Sequence, residues 1–126
     1  MQAFLALLPY IPPTDVALFC GILGLFLGSF YNVCSDRYLS GESILWPPSH
    51  CTACNAKLSP LELIPLLSWL VLRGRCRHCG AVIGWRYPLM ELASGFFAAL
   101  VGYRFGASVA CLIGLVFTGL FLVLSA

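Results

Sequence analysis

Four cysteines, Cys51, Cys54, Cys76 and Cys79, are the residues of this chain best suited to chemistry. They stand in the stretches CTAC and CRHC, two C-x-x-C pairs with 21 residues between them, one beyond the usual spacing of a four-cysteine zinc site. Such pairs serve metal binding, thiol redox chemistry or disulfide cross-linking. Each is followed by a residue that adopts positive φ easily, Asn55 and Gly80. A metal knuckle needs that turn so that backbone amides point back at the thiolates. A thioredoxin-like redox site instead sets its pair at a helix start after a strand, and no strand–helix alternation surrounds these cysteines. Lys57, Arg73, Arg75 and Arg77 flank the pairs closely and favour deprotonated sulfur. The pattern predicts a closed, structural zinc site with Cys51, Cys54, Cys76 and Cys79 as ligands, leaving no open position for an activated water. His50 and His78 could substitute, and redox dithiols are the competing chemistry. Cys20, Cys34 and Cys111 lie in apolar stretches and are expected to pack as small hydrophobes.

The elements that must position the four thiols are apolar. Of 126 residues, 60% are hydrophobic and 10% charged, and the mean hydropathy is +0.93. A small water-soluble domain could not cover that much apolar surface, so part of the solvent is expected to be lipid. The net charge of +2 gives no footprint for nucleic acid. Val16 to Cys34 is free of acidic and basic side chains and spans roughly 28 Å as a helix, close to a bilayer core. Leu89 to Tyr103 carries one acid, Glu91, and Gly106 to Ala126 carries no charge. The expected fold is an all-α polytopic membrane protein with about three transmembrane helices, at 16–35, 89–104 and 106–126. Residues 1–15, with Pro9, Pro12 and Pro13 and no basic n-region, read as an external or interfacial segment, not a cleaved signal.

The polar loop 36–88 between the first two spans carries the cysteines. It also holds Arg37, Lys57, Arg73, Arg75, Arg77 and Arg86, six of the seven basic residues, which places it in the cytoplasm by the positive-inside rule. That compartment is reducing and disfavours structural disulfides. Within the loop, Ser59 and Glu62 fit a capping box with Pro60 at the first helical position. Pro65 interrupts a continuous helix, so a helical turn at 60–64 and a short helix from Pro65 to about Leu72 are expected, ended by Gly74 in a left-handed cap. Gly21, Gly24 and Gly28 give the first span a small-residue face for close helix packing.

Read together, GSFYNV at 28–33, CTAC, CRHC, IPLLSWLVLRGRC at 64–76 and IGWRYPLMEL at 83–92 resemble the N-terminal half of bacterial prepilin peptidases. These are type 4 leader peptidases of the membrane aspartic peptidase class, many also N-methyltransferases. The resemblance implies an inner-membrane, multi-pass enzyme. It would cleave the leaders of type IV prepilins or pseudopilins at the cytoplasmic face and methylate the new N-terminus with S-adenosylmethionine. It also implies zinc in the cysteine loop, associated with the part that accompanies methyl transfer. Peptidase chemistry in that family uses two aspartates of the C-terminal half, whereas the aspartates here are Asp15 and Asp36, and neither matches those positions. The expectation is therefore an incomplete enzyme, a fragment or one half of a split pair. It would have no peptidase residue in this chain, and peptidase activity would need the missing C-terminal catalytic half. Glu91 is the methyl-transfer candidate, against a plain helix-start role favoured by the dipole or a pairing with Arg86. Two rival functions are a non-catalytic membrane zinc-binding interaction module and a membrane dithiol oxidoreductase.

Overall fold

Pro13 starts the first helix and Gly41 ends it. In the computed structural model, which describes residues 11–125, helix α1 runs over Pro13–Ser40 with proline in its first turn, where the missing amide would be unpaired anyway. Asp15 in the first turn and Arg37 in the last complement the helix dipole. Gly41 takes φ 73° and returns its amide to the Arg37 carbonyl, a left-handed stop that glycine adopts without steric cost. Its 28 residues make α1 about 42 Å long. Among the described residues it is the one helix both long and apolar enough to cross a membrane by length and composition.

The remaining elements are a 3-10 turn at Pro60–Leu63, the short helix α2 at Leu67–Val71, α3 at Arg86–Phe105 and α4 at Val109–Ser125. The described residues are all-helical, with two isolated bridges, His50 with Lys57 and Arg75 with Val82, and no strand. Several boundaries differ from the sequence reading. The first helix outruns 16–35 at both ends, since Pro13 permits an early start and nothing breaks it before Gly41. It thereby takes in 13–15 of the expected interfacial segment, and residues 1–10 of that segment lie outside the described residues. The second begins at Arg86, ahead of 89, because Pro88 falls in the first turn, where amides lack helical partners. The third starts at Val109, not 106: Gly106 adopts φ 60° and Ser108 accepts the Cys111 amide at 3.3 Å. It is an apolar helix of 17 residues, at the short end of the lengths that cross a bilayer.

The expected helix from Pro65 is also corrected. Pro65 and Leu66 form a turn, with Leu66 at φ 58°, and α2 starts at Leu67. Leucine in the left-handed region is disfavoured by its Cβ, so a specific partner must hold it there. That partner is Glu91, whose Oε2 accepts the Leu66 amide at 2.7 Å. Gly74 does adopt the left-handed conformation, at φ 67°.

Helices α1 and α3 form the main packing interface through small residues. A Cβ on Gly24 would lie 2.5 Å from Ala98 Cβ and 2.6 Å from the Ser94 carbonyl, and one on Gly28 2.8 Å from Glu91 Cα and Ser94 Cβ. The glycine face of α1 is thus spent on α3 within the chain. Cys20 and Cys111 are buried, their sulfurs 3.8 Å apart between α1 and α4, as packing residues. Gly28→Val should lower stability by about 1–3 kcal/mol through overpacking, read as thermal unfolding in detergent. Gly84→Ala, with nothing within 4 Å of its new methyl, should leave that transition in place; equal effects of the two would contradict this seam.

Candidate metal centre and the adjoining cavity

Each C-x-x-C pair folds as a knuckle. In the first, the Cys51 carbonyl accepts the Asn55 amide at 2.8 Å and the Cys51 amide donates to Ala56 at 3.0 Å. In the second, the Cys76 carbonyl accepts from Gly80 at 3.0 Å and the Cys76 amide donates to Ala81 at 2.8 Å. The turn residues are left-handed as the sequence requires, Asn55 at φ 58° and Gly80 at φ 72°. The two knuckles face each other: Cys51 Sγ lies 3.8 Å from Cys79 Sγ and Cys54 Sγ 4.0 Å from Cys76 Sγ. All four sulfurs lie within 4.8 Å of one another. Zinc–sulfur bonds near 2.3 Å in a tetrahedron set the sulfurs about 3.8 Å apart, so the cluster could hold one metal ion of that kind.

The electrostatics show what the cluster lacks without a cation. The Cys51 thiol is brought down from 9.0 to about 6, first by the backbone amides of Cys54 and Ala53. Cys76 is also lowered, chiefly by the amides of Cys79 and His78. For Cys79 the Ala81 amide pulls downward, but desolvation and the neighbouring sulfurs of Cys76, Cys54 and Cys51 outweigh it and hold the thiol at about 11. The amides prepare thiolate in each knuckle, and the crowded sulfurs then resist carrying four negative charges at once. A central dication would remove that resistance.

Beside the knuckles lies a cavity of about 470 Å³, walled by α1, α3, α2 and the loop, with Cys51 and Cys76 in its lining. Four acids, Asp36, Glu42, Glu62 and Glu91, line it against the guanidinium groups of Arg37 and Arg77. Glu62 does what the capping box requires, accepting the Ser59 amide on Oε2 at 2.7 Å. That bond, with the Ser59 side chain and then His78 and Arg77, holds its carboxyl below the usual range. The Glu62 side chain is only 6% exposed, and His78 Nε2 stands 4.0 Å from its Oε1. Arg86 does not pair with Glu91: it donates to Asp36 at 2.8 Å and to Ser35 at 2.7 Å, and the Tyr87 hydroxyl donates to the other Asp36 oxygen at 2.6 Å. This clamp joins the end of α1 to the start of α3.

The structure brings the four cysteines together and places Glu91 in the lining of the cavity beside them. It keeps Asp15 and Asp36 apart: they lie on one helix, 21 residues and about 31 Å from each other, too far to share a proton as a peptidase pair must. Sequence reasoning missed two participants. Glu62 was legible as a cap and not as a cavity acid, and Asp36 not as the anchor of Arg86 and Tyr87. The spacing S-x-x-E marked the first; the pairing of residues 50 apart had no local signal.

A bundle of helices carrying a four-thiolate loop is the class these features define. The chain belongs to the bacterial prepilin peptidases: residues 22–105 match the Bacterial Peptidase A24 N-terminal domain. The chain is 52% identical over 92 residues to the prepilin leader peptidase/N-methyltransferase of Myxococcus xanthus, covering 71% of this chain and 27% of that protein. Proteins of the same description from Bacillus subtilis and Klebsiella pneumoniae are each 40% identical, covering 82% and 86% of this chain and 42% and 50% of their own lengths. The chain therefore spans between about a quarter and a half of these curated relatives. No solved structure matches it.

Proposed function

We propose that this chain is the zinc-loop part of a membrane prepilin peptidase that removes the leader of type IV prepilins or pseudopilins and methylates the N-terminus left behind. Cys51, Cys54, Cys76 and Cys79 hold one zinc ion, which fixes the two knuckles against each other. The cysteine loop lies on the cytoplasmic side of the bacterial inner membrane. Helices α1, α3 and α4 are the membrane spans. Supporting that placement are the exposed Leu18, Phe19 and Phe26 on α1, Phe96 and Leu100 on α3, and Phe117 and Phe121 on α4, an outer surface that water would not tolerate.

The single observation that carries the division of labour is the acid-lined cavity between α1, α3 and the knuckles. Its volume lies within the range of small-ligand sites, and its excess of carboxylates suits a cationic cofactor. S-adenosylmethionine, when bound, supplies a methyl group on a sulfonium sulfur. The chain's own residues supply the enclosure: Glu91 holds the Leu66 turn that forms one wall, the Arg86–Asp36–Tyr87 clamp fixes another, and the zinc knuckles close the side facing water. Glu91 is thereby a positioning residue, since its Oε2 is committed to the Leu66 amide. Cutting of the leader belongs to aspartates outside this sequence, because Asp15 and Asp36 cannot act together. A non-catalytic zinc module gives no reason for such a cavity.

Two outcomes test this reading. Cys51→Ser or Cys76→Ser should lose the metal and open the loop to protease, since structural zinc contributes about 10–16 kcal/mol in small peptide sites. A loop equally resistant in both variants would contradict a structural role. In nanodiscs, the zinc-loaded chain should transfer label from methyl-labelled S-adenosylmethionine to a pilin-derived peptide, leave a leader peptide uncut, and stop transferring after chelation. Leader cleavage by this chain, or methyl transfer that survives zinc removal, would contradict the assignment.

A further inference from the structure

Among the described residues three buried side-chain oxygens have no hydrogen-bond partner, Asn32 Oδ1, Ser59 Oγ and Glu62 Oε1, and the first and last belong to residues that line the cavity. Asn32 is 2% exposed; its Nδ2 donates to the Tyr87 carbonyl at 3.1 Å, while Oδ1 has no hydrogen-bond partner among the described residues. Turning the amide over would set oxygen against the Tyr87 carbonyl oxygen, so the pairing fixes which end is free. Glu62 repeats the pattern: Oε2 is taken by the Ser59 amide and Oε1 is buried without a partner. His78 Nε2, at 4.0 Å, is beyond hydrogen-bond reach. Both residues line the one cavity beside the knuckles.

Buried acceptors left unpaired are costly, and native proteins rarely keep them without a purpose. Three other charged groups of the wall are already engaged. Glu91 Oε2 is held by Leu66, Asp36 by Arg86 and Tyr87, and Arg37 by the carbonyls of Ser43, Ile44 and Pro47. What enters the cavity must therefore bring donors, and the carboxylate excess asks for positive charge. A primary ammonium group brings three donors and one charge.

We propose that Asn32 Oδ1 and Glu62 Oε1 are the acceptors for a primary ammonium group bound in this cavity. The inference rests on the methyl-transfer reading above and deepens it. Two ligands of that reaction carry the group, the N-terminus of a peptide and the amino-acid end of S-adenosylmethionine, and one of the two occupies these acceptors. Glu62 contributes charge and Asn32 direction, and the Tyr87 carbonyl fixes the orientation of Asn32.

The test uses the zinc-loaded full chain in nanodiscs and three probes: an apolar hexapeptide with a free N-terminus, its N-acetylated twin, and S-adenosylmethionine. A charge-assisted hydrogen-bond pair should make the free peptide bind about tenfold or more tightly than the acetylated one, with that advantage lost in Glu62→Gln and in Asn32→Leu. If the ammonium is that of S-adenosylmethionine, the two peptides bind alike and the same variants weaken the cofactor by a similar factor. Zinc content and thermal unfolding report whether each variant folds, and the peptide pair on unaltered chain needs no variant. Equal binding of both peptides, with cofactor affinity unmoved by Glu62→Gln, overturns the ammonium site and leaves the methyl-transfer reading standing. No binding of any probe overturns both.

Discussion

Four sulfur atoms packed within 4.8 Å cannot all carry negative charge unless a cation sits among them. The loop depends on that constraint. Between Gly41 and Trp85 the chain has one 3-10 turn and one five-residue helix, and its bulky residues are largely exposed, with Leu45 at 90% and Val71 at 79%. So little apolar burial cannot fix a segment of this length, since each ordered residue gives up about 1–2 kcal/mol of backbone entropy. A metal cross-link between residues 51 and 79, which the four-cysteine cluster could hold, would supply the closure that hydrophobic packing does not.

The second constraint comes from the helices. Because Gly24 and Gly28 let α3 approach α1 closely, Asn32, Ser35 and Asp36 on the next turns of α1 come level with Arg86, Tyr87 and Glu91 on α3. The clamp and the Glu91–Leu66 bond follow from that register, and the loop is thereby attached to the helix pair at defined points. Metal site and helix seam enclose the same cavity from two sides. A change at either one should be felt in the other through the wall they share.

Much of this could be read from the residues in order. The knuckles were legible because their geometry is local: a C-x-x-C followed by Asn or Gly encodes both sulfurs and the turn. The capping box at Ser59 and Glu62 and the left-handed Gly74 were legible for the same reason. Helix ends were less so, since hydropathy follows the apolar stretch and not the caps, and α1 continues through Arg37 to Gly41. The Leu66 turn was not legible at all: a left-handed leucine has no local signal, and its partner Glu91 lies 25 residues away. The cavity acids belong to this last kind, because Glu62 satisfies a local rule with one oxygen and leaves the other for a tertiary purpose.

The loop, the cavity and their attachment to the helices all turn on one closed zinc site formed by the four loop cysteines. X-ray absorption at the zinc edge, on chain purified with equimolar metal, tests it most directly. A closed four-thiolate site gives a single shell of four sulfurs at about 2.3 Å and no nitrogen or oxygen ligand. A shell containing imidazole or water, or zinc well below one per chain with the four cysteines oxidised in pairs, would contradict it.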